Sequence, residues 1–135
     1  MRIYLAHNFA AREYLKVAVI PFFENNGHEV GASWITDDRH LDPKWKVESA
    51  VRDLMDIEEC GALVFFAKQF AEIPGEGKYV ELGYAIRAGK IVVVVHSWHR
   101  EEQRCVFYDL CTIRHTDNLE GVLPYLGGKQ KVDAL

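Results

Sequence analysis

Short apolar runs alternate with amphipathic stretches along this chain, and the rhythm predicts its elements. Arg2–Ala6 (RIYLA) is a β-prone run that opens a sheet. Leu15, Val19, Phe22 and Phe23 recur near helical spacing and predict a helix over Phe9–Asn25, which Pro21 should kink or end early. Asn25-Asn26-Gly27 is a helix stop, and Glu29–Ser33 reads as a second, weaker strand. Thr36–Pro43 is polar and loop-like. Lys44–Glu59 is the next helix, with Val47, Ala50, Val51, Leu54 and Ile57 as its apolar face. At about 100° per residue Asp53 falls on the edge of that face, and Asp56 points nearly opposite, to solvent. Ala62–Ala67 (ALVFFA) is a buried-type strand, followed by a loop over Lys68–Gly77. A helix over Lys78–Ala88 ends at Gly89. Ile91–Val95 (IVVVV) has the unbroken β-branched character of a central parallel strand. His96–Arg104 reads as a polar loop, Cys111–His115 as a short edge strand, Asn118–Leu126 as a last helix and Gly127–Leu135 as a tail.

Strands alternating with helices imply a parallel sheet covered on both faces. The expected architecture is one α/β domain over residues 1–135, doubly wound and flavodoxin-like. Its five-stranded parallel sheet should have the order 2-1-3-4-5. In that order strands 1 and 3 are neighbours whose connections leave to opposite faces. A ligand crevice opens at their C-terminal ends. Topology alone therefore places a site at His7, Asn8 and Phe9 and along residues 68–81.

Composition narrows the function without naming it. The 135 residues are 49% hydrophobic and 27% charged, as in a globular domain with a core of its own. A net charge of -4 argues against a broad grip on polymeric nucleic acid. Cys60, Cys105 and Cys111 form no C-x-x-C, and we read them as reduced thiols in a cytoplasmic protein. The start, MRIYLAHNF, is too short and polar for a signal peptide, and Ile91–Val95 is too short to span a bilayer. His96 and His99 with Cys105 and Cys111 match no common zinc spacing, so no metal is expected.

Two carboxylates carry the candidate chemistry. In Gly75-Glu-Gly-Lys-Tyr-Val-Glu-Leu-Gly83 a glycine-rich turn leads into a helix, with Glu81 expected in its first turn. Free N–H groups and the positive helix end would keep Glu81 ionised there, as a nucleophile on a sugar carbon requires. A glutamate so placed also serves simply to complement the helix dipole. Asp53, on the flank of an apolar face, is a candidate acid, and the two together match the division of labour in glycosidic cleavage. An aspartate hydrogen-bonded to water or to Arg52 is the plainer reading of the same residue. Lys78, Arg12 and the backbone of Gly75 and Gly77 could hold a 5'-phosphate. Trp34 could stack on a base, and His7 and Asn8 could hydrogen-bond substrate.

Segments spread over nearly the whole chain resemble the nucleoside 2-deoxyribosyltransferase-like superfamily, which includes the 2'-deoxynucleoside 5'-phosphate N-hydrolases. They are Ile3-Tyr-Leu-Ala6, Asn26-Gly-His-Glu-Val30, Asp53 ahead of its β run, and Val80-Glu-Leu-Gly-Tyr-Ala85 followed by Gly89-Lys90. Cys105-Val-Phe-Tyr-Asp-Leu110 is similar to a further element, with Cys105 in place of the family's Asn. Gly61 and Gly75 also depart from the family pattern.

The resemblance implies that Glu81 attacks C1' of a 2-deoxyribosyl group and forms a glycosyl-enzyme intermediate. It further implies that Asp53 assists departure of the base and that Tyr4 lies near the nucleophile. Hydrolysis or base exchange of a 2'-deoxynucleoside or its 5'-monophosphate would follow, with no cofactor, in a homodimer or larger assembly. Two alternatives stand beside it. One is a non-catalytic nucleotide-binding module. The other is an N-glycosidase acting on a ribonucleotide or NAD.

Overall fold

The computed structural model describes residues 1–67, 76–96 and 105–127. Strands β1 (Arg2–Ala6), β2 (Glu29–Val30), β3 (Ala62–Phe66), β4 (Ile91–Val95) and β5 (Ile113–Thr116) form one parallel sheet in the order β2-β1-β3-β4-β5. This is the expected doubly wound α/β arrangement. β3 is buried along its whole length and β4 over its last four residues, as their unbroken apolar sequences require. β2 is shorter than expected. It pairs only Glu29 and Val30 with β1, and the chain then turns at Ser33–Ile35.

Residues 9–25 wind without a break: a 3-10 turn at Phe9–Ala11, α1 (Arg12–Tyr14), a π-wound stretch at Leu15–Val19, and α2 (Ile20–Asn25). Pro21 neither ends nor interrupts this helix. The widened π turn comes just before it, where an α turn would press the ring against a carbonyl. Gly27 and Gly89 have φ of 83° and 73°. The next amide in each case reaches back five residues, His28 to Phe23 and Lys90 to Ala85, which closes both helix ends.

Helix α3 (Lys46–Glu59) is preceded by a 3-10 turn at Pro43–Trp45, and the segment read as loop holds another at Asp38–Leu41. Helix α4 (Glu76–Arg87) starts earlier than expected, so Gly77 belongs to a helix and not to a loop. α3 and α4 pack side by side, tied by Tyr84 Oη donating to Glu58 at 3.1 Å. The last helix is reduced to a 3-10 turn at Glu120–Val122 and a single turn, α5 (Leu123–Leu126). None of the helices described is long and apolar enough to cross a membrane.

α3 is rotated away from the orientation its sequence suggests. Val47 and Val51 are 72% and 52% exposed, whereas Asp56, expected in solvent, is 3% exposed. The buried face runs through Asp56, Ile57 and Cys60, with Asp53 and Leu54 half-buried. Asp56 can be buried because its charge is answered. Oδ2 accepts from Ser33 N at 3.0 Å and Ser33 Oγ at 2.5 Å, and Oδ1 accepts from Arg52 Nε at 3.2 Å. The displaced stripe, Val47, Val51 and Met55, lines a shallow concavity with Trp45 and Arg39 instead.

Asp56 therefore anchors the turn that carries Trp34. Asp56→Ala leaves the Ser33 amide and hydroxyl without their acceptor and should cost about 2–3 kcal/mol. The denaturant midpoint should fall with its slope unchanged, and a midpoint within experimental error of the parent would refute the anchoring role.

Candidate active site

At the C-terminal end of β1 lies a cavity of about 600 Å³. This is the switch-point crevice that the strand order demands. Its wall brings together His7, Asn8, Phe9, Trp34, His40, Asp53, Gly77, Lys78 and Glu81. The volume suits a ligand of nucleotide size. Gly75 lies outside the described residues.

Each wall residue is held by the fold. His7 and Asn8 follow β1 directly and are buried, with the His7 ring stacked on Phe66 at 4.9 Å. Asn8 N donates to His7 Nδ1 at 2.7 Å. Trp34 is almost fully buried, and its indole N–H donates to Leu5 O at 3.0 Å. Its ring is thus fixed with one part against the core and one at the cavity. Phe9 is 40% exposed and lies 6.2 Å from the Trp34 ring and 6.4 Å from that of His40. Lys78 is buried. Its ammonium donates to Phe66 O at 2.9 Å and sits over the Phe65 and Tyr79 rings, and burial pushes its pKa down to about 8. Arg12 is turned to the scaffold, donating to Ile35 O and pairing with Asp38.

Tyr4, fully buried in β1, donates its hydroxyl to Glu81 Oε2. Burial first, and then the nearby Glu81 and Asp53 carboxylates, push the phenol well above its usual range, so it stays a donor. Glu81 lies in the second turn of α4, past the free N–H groups of the helix start. The expectation of a carboxylate kept ionised by the helix end is therefore corrected. Burial dominates and raises Glu81 to about 8. The Tyr4 bond pulls it down and the Asp53 charge pushes it up.

Asp53 rises to about 6, through burial, and this is opposed by His40. His40 Nε2 stands 3.1 Å from Asp53 Oδ1 and 3.4 Å from Oδ2. His40 carries almost no mark of a site in the sequence, because it sits in a polar, loop-like stretch. Its only signal was a histidine near Asp53 on the chain.

The two carboxyl groups thus share one apolar-walled cavity, each with its own hydrogen-bonding partner, Tyr4 for Glu81 and His40 for Asp53. With Asp53 at about 6 and Glu81 at about 8, the pair holds one proton near neutral pH, chiefly on Glu81. Such a site can offer one oxygen nucleophile and one acid at the same time.

Away from the cavity, His96 Nε2 lies 2.7 Å from His115 Nδ1, and His115 Nε2 lies 2.7 Å from Tyr108 O. His99, from the cluster weighed for zinc, lies outside the described residues.

Among solved structures, Clostridium botulinum CMP N-glycosidase, BcmB, matches with a TM-score of 0.59 at 18% identity, over 86% of this chain and 87% of that one. The chain shares the fold of that enzyme. No protein-family model and no curated protein matches its sequence. On this fold, Glu81, Asp53 and Tyr4 converge on the cavity side of β1, α3 and α4.

Tyr4→Phe keeps the ring and removes the hydroxyl. The Glu81 carboxylate then loses its donor, and its pKa should climb above about 8. The alkaline limb of the pH–rate profile, at about 8, should move to higher pH, with the maximal rate down by about 10- to 100-fold. A pH–rate profile that overlays the parent would refute this role for the Tyr4 hydroxyl.

Proposed function

We propose that this protein cleaves the N-glycosidic bond of a nucleoside 5'-monophosphate, with a ribonucleotide such as CMP as the first substrate to test. The observation that carries the reading is the Tyr4–Glu81 contact beside Asp53 in a nucleotide-sized cavity. The likeness to a CMP N-glycosidase favours ribose over the deoxyribose implied by the sequence resemblance.

In the proposed reaction the pair's one proton, which rests chiefly on Glu81, passes to Asp53, and Glu81, as carboxylate, then forms a bond to C1' while the bond from C1' to the base nitrogen breaks. Asp53 gives its proton to the departing base. Water then attacks C1', Glu81 leaves as carboxylate, and the water's second proton returns to Asp53. The products are a free base and a sugar 5-phosphate. A second base in place of water would give exchange.

Tyr4 holds the nucleophile, and the anchored Trp34 ring with Phe9 beside it offers a platform for the base. The start of α4 at Gly77 and Lys78 is the place for the phosphate.

The test is a panel of CMP, dCMP, cytidine and the other ribo- and deoxyribonucleoside monophosphates, with free base followed by chromatography. We expect base from CMP faster than from dCMP, and none from either with Glu81→Ala. Thermal stabilisation by nucleotides without base release would replace this reading with a non-catalytic binding module. Release that survives Glu81→Ala would overturn the mechanism.

A further inference from the structure

His40 lies on a 3-10 turn that no catalytic reading of the sequence included. Asp37 caps the turn by accepting from Arg39 N at 3.0 Å and grips the Arg39 side chain as well. The His40 side chain is only 12% exposed. Nε2 faces Asp53, while Nδ1 is buried with no hydrogen-bond partner among the described residues. Nε2 faces both Asp53 carboxyl oxygens, which accept and, when ionised, cannot donate. The tautomer that fits therefore carries its proton on Nε2, aimed at the Asp53 carboxyl. Glu81 on α4, Tyr4 on β1, Asp56 on α3 and Asp37 beside the turn are the other ionisable groups that act with Asp53. None of them donates to it.

We propose that His40 is a positioning residue for Asp53, holding its carboxyl at the cavity wall and stabilising the carboxylate that forms as Asp53 gives its proton to the departing base. The inference rests on the N-glycosidase reading and deepens it. A neutral imidazole N–H bonds weakly to a protonated carboxyl and strongly to an ionised one. The bond therefore strengthens along the proton transfer, which is the condition for lowering a barrier and not merely tightening the ground state. The balance is simple: the proton leaves Asp53 for the base nitrogen, the electron pair stays on Asp53, and the His40 proton stays on Nε2.

The experiment compares His40→Phe and His40→Gln in the full chain. Phenylalanine keeps the ring and loses the donor. Glutamine brings an amide N–H to about the place of Nε2. With CMP as substrate, His40→Phe should lower kcat by about 10- to 100-fold with KM changed by less than about threefold. Its acidic limb, at about 6, should move to higher pH, because Asp53 then holds its proton more tightly. His40→Gln should recover most of kcat and return the limb toward the parent's.

A carbon-13 NMR titration of the Asp53 carboxyl, run without substrate on the same proteins, separates this inference from the functional one. The Asp53 midpoint should rise in His40→Phe and stay near the parent's in His40→Gln. A parent that releases no base overturns the N-glycosidase reading, and with it the catalytic half of this proposal; the titration then decides the positioning half. An Asp53 midpoint that His40→Phe does not move, or glutamine behaving as phenylalanine in both assays with melting temperatures equal to the parent's, overturns the positioning role.

Discussion

Glu81→Gln should abolish base release and at the same time make the protein more stable at alkaline pH. The loss of turnover should be on the order of 10³-fold or more, since an amide cannot form the glycosyl bond. The gain follows from linkage. Folding raises Glu81 from its ordinary 4.5 to about 8, chiefly by burial, so between those values the folded chain binds more protons than the unfolded one. Stability therefore falls as pH rises through that window, and the penalty is complete above about pH 8. Allowing for water in the open cavity, it should amount to about 2–3 kcal/mol. Glutamine carries no charge to desolvate, and its carbonyl can still accept from Tyr4. The melting temperature of the variant should exceed the parent's by about 5–10 °C at pH 8.5 and match it near pH 4. Thermal scans at both pH values check this. An equal difference at the two would show that Glu81 ionisation is not the cause.

Asp53→Asn has the second largest expected effect, a fall in kcat of about 10²- to 10³-fold with the loss of one limb of the pH profile. In the parent, rate should be greatest near pH 7, where the pair holds a single proton. Below about 6 both carboxyls are protonated and the nucleophile is gone. Above about 8 both are ionised and the acid is gone. The two limbs belong to the pair and not to either residue. Asparagine removes the acid and also the charge that raises Glu81. The variant's profile should therefore rise once, at a lower pH than about 8, and then stay flat. A bell retained in Asp53→Asn would place the acid elsewhere.

The strands and helix ends were legible because their causes are local. The β-branched run of Ile91–Val95 and the glycines that end two helices act over a few residues, and each was found close to its expected place. Pairing order followed from the alternation of elements and the handedness of crossovers. The ends of elements were less legible. β2 stops after two residues, with the chain turning at Ser33–Ile35, and α4 begins at Glu76.

The site divided along the same line. Asp53, Glu81 and the end of β1 were identifiable from residue type and topology, and the cavity does gather them. The rotation of α3 was not. Its apolar count favours Val47 and Val51, yet the helix buries Asp56, because Ser33 supplies two donors from a distant turn. His40 was missed for the same reason, since nothing near it in sequence reveals that its ring will be buried against Asp53.

By itself, then, the sequence determined the parallel sheet, its strand order, the end of the sheet where a ligand belongs, and two carboxylates in the right regions. Only the tertiary structure decided their protonation, their donors and their partner histidine. Backbone patterns depend on local sterics and burial period. A pKa or a hydrogen bond depends on which groups meet in space and how much water is left between them.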